Sequence, residues 1–348
     1  MTMVRADKSR FMLFRSISMA CVCGLTIGAA DAARAAQPGK LTLYTAQHEQ
    51  VVDMLTAQFT KETGIKVLVH QGEGPEIASQ ILAEGGHSPA DVFLTENSPE
   101  LVLLSEHRLL APVAGATLAL MPARDNAPDG TWIGLLAREN VLTYNSAKIA
   151  PSALPASLLD LAQPAFAGQI AIAPSDADFL PLVSAMIKLK GTQATRSWLA
   201  GLKKNAVIYD DDEAVVAAVN RGSVATGIIN SYYWMRLATE LGAANMHSAI
   251  HHFAPRDVGA LVNISGSGIL KTAPHAANAQ RFVAFLASRE AQTMLGKSDV
   301  DFEYPLRAGV SANPQLTPLD QLSPPDIGPA DLGDDRAAAA LIRDAGLV

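Results

Sequence analysis

The chain has 348 residues, 49% of them apolar, with 27 Lys and Arg against 34 Asp and Glu and a net charge of −7. Residues 1–36 hold five of those bases and two of those acids, so the remainder of the chain carries −10. An acidic surface argues against nucleic acid or anionic membrane as partner, since phosphates demand clustered Lys and Arg, and makes a cation the easier ligand.

Arg5, Lys8, Arg10 and Arg15 precede an apolar stretch over 17–30, followed by Ala33-Arg34-Ala35-Ala36. This pattern predicts an export signal cleaved near Ala36, too short to span a bilayer as an anchor, and a periplasmic destination. Both cysteines, Cys21 and Cys23, lie inside it. The mature chain is therefore expected to hold itself together by packing alone, which its length permits.

Beyond the signal, short apolar runs alternate with helical periodicity. The spacing predicts a strand at 41–45, a helix at 49–63 with Val52, Leu55 and Phe59 on one face and Gly64 closing it, and a strand at 65–69. A helix over 77–84, a strand at 91–95 and a helix at 99–106 continue this βαβ grammar. After Pro151 and Pro155 comes a second series: strand 169–173, helices 179–190 and 194–203, strand 207–209, helix 213–221 and strand 225–229.

Two such series exceed one ordinary domain. The expected fold is α/β with two lobes, each a mixed sheet flanked by helices: 37–143 with 263–312 as lobe 1, and 144–262 as lobe 2. Strand-like segments at 141–144 and 259–262 flank the second series and suggest a two-strand hinge. A Pro-rich excursion over 313–329 precedes a last helix at 335–345, with 313–348 assigned to neither lobe.

In open α/β sheets ligands bind beyond the carboxyl ends of the strands. Here His48 follows the first strand, Glu96 the strand 91–95, and Asn230, Tyr232 and Tyr233 the strand 225–229. Ser175 and Asp176 follow 169–173, and Asp210, Asp211 and Asp212 follow 207–209. One imidazole, one carboxylate and two phenolates suit a hard trivalent cation, whereas zinc favours sulfur and imidazole. With Glu96 and both tyrosines ionised the ligand charge is about −3, which neutralises Fe3+. Each residue also has a plainer role open to it: aromatic packing for the tyrosines, a helix start for His48, a dipole partner for Glu96 and a helix cap for the Asp run. His247, His251 and His252 alternate across strand faces and make a poor second metal site.

Several segments are similar to periplasmic ferric-ion-binding proteins, the capture components of iron(III) ABC transporters. They are Leu43-Tyr44-Thr45-Ala46-Gln47-His48, Glu62-Thr63-Gly64-Ile65-Lys66-Val67, Ser88-Pro89-Ala90-Asp91-Val92-Phe93, Asn230-Ser231-Tyr232-Tyr233-Trp234, the stretch 256–262 and Glu303-Tyr304-Pro305-Leu306. The resemblance implies a hinge-closing type II binding protein, a monomer serving an inner-membrane permease with a cytoplasmic ATPase. It places the iron ligands on His48, Glu96, Tyr232 and Tyr233. Such proteins complete the coordination with a synergistic anion held by a small-residue turn and neutral amides. Here the corresponding positions read Asp176-Ala177-Asp178 beside Ser175, then Asn97, Asp212 and Asn230. Acids in place of neutral donors predict little dependence on an exogenous anion, with Asp176 a candidate to replace it.

The alternative is the same fold holding a polyamine, thiamine or an organophosphonate. An exported hydrolase is disfavoured, because the chain has no Gly-x-Ser-x-Gly turn, no His-Glu-x-x-His helix and no phosphate-binding glycine loop.

Overall fold

A computed structural model describes residues 39–348; the export signal and both cysteines lie outside them. Among these residues eleven strands form one sheet: β1 (Lys40–Thr45), β2 (Lys66–Gln71), β3 (Val92–Thr95), β4 (Leu110–Ala111), β5 (Trp132–Asn145), β6 (Ile170–Ile172), β7 (Ala206–Ile208), β8 (Thr226–Asn230), β9 (Ser248–His251), β10 (Val262–Leu270) and β11 (Tyr304–Pro305). The main path runs β2-β1-β3-β10-β5-β8-β6-β7, with β4 on β10 and both β9 and β11 on β5. The mixed α/β sheet with flanking helices is thus as expected.

β1, β2 and β3 are mutually parallel, as are β8, β6 and β7. Long β5 joins the two sets: residues from Trp132 to Glu139 pair with β10, and those from Asn140 to Tyr144 with β8, both antiparallel. Residues 259–262 differ from the expected strand. Asp257 accepts the Gly259 amide at 2.8 Å and pins a 3-10 turn, Val258–Ala260, so that β10 starts only at Val262.

Local sequence explains the helices that lead out of the strands. Helix Glu49–Thr63 buries Val51, Val52, Leu55 and Phe59 and ends at Gly64, whose φ of 71° lets its amide return to the Thr60 carbonyl. Phe59 packs on Phe282 and Phe285 with ring centroids 4.9 and 5.5 Å away. On the other side, a Cβ at Gly227 of β8 would stand 2.5 Å from Val215 Cγ1, so glycine is what allows helix Asp212–Asn220 to lie against the strand. One core gathers around Leu41, Leu43, Val92 and Phe282, another around Leu142, Ile170, Trp198 and Ile228. The outermost strands expose Leu68 and Val69 on β2, and Val207 and Ile208 on β7. Among the described residues no helix is long and apolar enough to cross a membrane.

Candidate functional site

The carboxyl ends of β1, β3, β6, β7 and β8 meet around a cavity of about 440 Å³. His48, Glu96, Asn97, Ser175, Asp176, Asp178 and Tyr233 line it. His48 occupies the N-cap position of helix Glu49–Thr63, where its carbonyl accepts the amides of Val51 and Val52, both at 3.0 Å. Its Nε2 stands 3.3 Å from Glu96 Oε1, and its Nδ1 2.5 Å from Asp301 Oδ1. Tyr232 and Tyr233 open helix Ser231–Leu241 directly after β8, with ring centroids 4.1 Å apart. The His48 ring meets Tyr232 edge-on at 4.9 Å. The four residues expected to share one ion therefore stand together, Tyr232 buried behind Tyr233.

A buried arginine organises the charges. Arg138, in the middle of β5 and 0% exposed, reaches Asp178 at 2.9 Å, Glu303 at 3.0 Å and Glu96 at 3.3 Å. It also donates to Asn97 Oδ1 at 2.8 Å. Tyr232 donates its phenol proton to Asp178 Oδ2 at 3.0 Å, and Asn97 Nδ2 lies 3.3 Å from Asp178 Oδ1. Burial works against ionising Asp178, yet Arg138 and hydrogen bonds from Asn230, Tyr232 and Asn97 hold its carboxyl below the usual range.

Burial pushes Glu96 up to about 7 against the pull of His48 and Arg138. For His48 burial acts downward, but the Glu96 charge and the Asp301 hydrogen bond overcome it and raise the imidazole to about 10. Burial, then the negative charge of Asp178, raises both tyrosines well above the ordinary phenol value. The site as it stands thus favours the protonated forms of His48, Glu96 and both tyrosines.

The remaining expected residues divide. Asp176 lines the cavity, but both its oxygens accept backbone amides, from Asp178 at 2.9 Å and Asp212 at 3.1 Å. Burial, then the charge on Asp178, raises it to about 6. Ser175 is exposed and donates to the Asp210 carbonyl at 3.2 Å. Asp212 and Asn230 are buried and do not line the cavity. Asp211 is the residue that caps the next helix, accepting the Ala214 amide at 2.7 Å. The three histidines are engaged separately or exposed: His251 meets the Pro155 carbonyl, His252 pairs with Glu139, and His247 lies on the surface. Among the described residues no three His, Cys, Asp or Glu side chains stand in metal-holding geometry.

Sequence reasoning missed Arg138, Asp301 and Glu303 and gave Asp178 no role of its own. The lone arginine after the otherwise apolar run Ile133-Gly134-Leu135-Leu136-Ala137 was the available signal for the first.

Comparison with known proteins gives consistent likenesses. The pattern of bacterial extracellular solute-binding proteins matches residues 41–298. Over 308 residues the chain is 40% identical to the Fe(3+)-binding periplasmic protein of Serratia marcescens, spanning 88% of this chain and 90% of that protein. Its fold is similar to iron-bound HitA from Pseudomonas aeruginosa, with a TM-score of 0.85 and 42% identity over 89% of this chain and 100% of the other. Trichodesmium FutA, in complex with iron and citrate, gives 0.77 and 32% over 88% and 99%.

Proposed function

This chain belongs to the bacterial extracellular solute-binding protein family, and from that membership we propose that it captures Fe3+ in its cleft and delivers it to an ABC permease. The observation that carries this reading is the grouping of His48, Glu96 and Tyr233 around one cavity, with Tyr232 packed directly against His48 and Tyr233. A neutral imidazole, a carboxylate and two phenolates are hard donors whose summed charge offsets that of Fe3+. The Fe(3+)-binding relative and the two neighbours that hold iron support ferric ion over an organic solute.

Capture is a proton exchange. Tyr232 is buried and Tyr233 half-buried, and both phenols ionise when a metal supplies the compensating charge, so loading releases protons. Asn97, at a position the resemblance gives to an exogenous anion, here bonds Asp178. An ionised carboxylate in that place repels phosphate. Binding on this reading needs no added anion; Asp178 takes that place, and Asp176 braces the turn.

The segments 37–143 with 263–312 and 144–262 act as the two lobes, and β5 serves as their hinge with Arg138 at its centre. Fe3+ favours the closed arrangement because only there do all four side chains reach it, and the permease reads that arrangement. The protein works in the periplasm as a monomer and carries out no catalysis. The test is a ferric titration followed in the visible. Red phenolate-to-iron absorption saturating at one ion per chain is expected, and a protein that stays colourless after loading overturns the proposal.

A further inference from the structure

The loop that carries His48 is tied to a distant segment. Asp301, its side chain 3% exposed, holds His48 Nδ1 at 2.5 Å. Gln47, one residue earlier, donates through Nε2 to Glu303 at 3.2 Å, while its Oε1 receives the His48 amide at 2.8 Å. Between the two acids Phe302 has φ of 53°, rare for a bulky side chain, and is buried in the first core. The Ser298 hydroxyl receives the amides of Val300 and Asp301, both at 3.2 Å, and Asn313 Nδ2 donates to the Ser298 carbonyl at 2.9 Å. This segment is therefore held from several sides, in a backbone state that the core stabilises.

An imidazole has two nitrogens, and the hydrogen bond made by one decides which the other offers to a metal. With Nδ1–H given to Asp301, the nitrogen left facing Glu96 is Nε2. Resting on the reading of His48 as a ligand of Fe3+, we propose that Asp301 is a positioning residue that never touches the ion: it fixes the His48 ring so that Nε2 is presented to the cavity. Gln47 and Glu303 lock the loop in the same register.

The test compares the wild-type protein with Asp301→Ala and Asp301→Asn. Fe3+ retention is measured against citrate, and 15N NMR of protein loaded with Ga3+, a diamagnetic stand-in, reports which His48 nitrogen holds the metal. Asp301→Ala is expected to weaken retention about 10–100-fold, as loss of a supporting hydrogen bond does at other metal sites. Asp301→Asn keeps an acceptor oxygen at the same reach and recovers most of the affinity. In the wild type, Nε2 carries the metal and Nδ1 its proton. Metal on Nδ1 in the wild type, unchanged retention in Asp301→Ala, or an equal loss in Asp301→Asn overturns the proposal while leaving ferric binding intact. Wild-type protein that takes up no Fe3+ overturns the ferric reading itself and this inference with it.

Discussion

Replacing Arg138 by Met keeps a long apolar stem in the centre of β5 and deletes only the guanidinium. Arg138 is 0% exposed, with carboxylates of Asp178, Glu303 and Glu96 at 2.9, 3.0 and 3.3 Å. Without it Asp178 and Glu303 stay out of water without this counter-charge and Glu96 keeps only His48, and breaking a buried pair this way costs about 3–5 kcal/mol. In a chain of this size that corresponds to a fall of roughly 5–8 °C in Tm. Thermal unfolding of the metal-free proteins by circular dichroism at pH 5 and pH 8 measures it. The sign with pH comes from Glu96, whose folded value of about 7 lies above its ordinary value of 4.5. A group raised in this way binds a proton on folding, so its contribution to stability declines as pH rises from about 4.5 to about 7. Removing the cation that opposes this raises the folded value further, and the deficit must be larger at pH 8 than at pH 5. A deficit below about 1 kcal/mol, or one equal at both pH values, refutes the view that Arg138 holds these charges together.

The other expectations concern loading. Tyr233→Phe loses or strongly shifts the red absorption and weakens Fe3+ by more than the ~10–100-fold typical of a supporting partner; an unaltered spectrum removes Tyr233 from the ligand set. Phosphate leaves the wild-type affinity unchanged but strengthens binding by Asp178→Ala, measured by citrate competition with and without the anion, whereas a phosphate-responsive wild type sinks the built-in carboxylate. Glu96 at about 7 and His48 at about 10 must each give up a proton to the ion. Retention therefore rises from pH 5 to pH 8, by up to about tenfold per pH unit for each proton displaced. A flat profile contradicts the exchange.

Strands with a plain apolar run and an adjoining helix were legible in the sequence, as β1, β3, β6 and β8 show. β10 was not, because its middle reads Ser265-Gly266-Ser267-Gly268. A Cβ at Gly266 would lie 2.8 Å from the Ile133 carbonyl, so close packing against β5 selects the very residues that hide the strand. β4 and β11 are two residues long and carry no period to detect. The grouping of His48, Glu96 and the tyrosine pair was legible because each follows a strand at the same end of the sheet. Asp301 lies 253 residues from His48 in the chain, and nothing local to either residue announces that pairing; only the folded backbone at Phe302 brings it about.

Among the described residues the main path of the sheet begins at β2 and finishes at β7, and both of these edge strands expose apolar side chains. Such rims invite a second copy to add its own strand and so start a growing stack. The excess of acids over bases is the countermeasure the chain possesses, since like-charged molecules keep their distance. Salt shortens the reach of that repulsion, so crowding and high ionic strength together are the conditions under which this molecule is most prone to self-association.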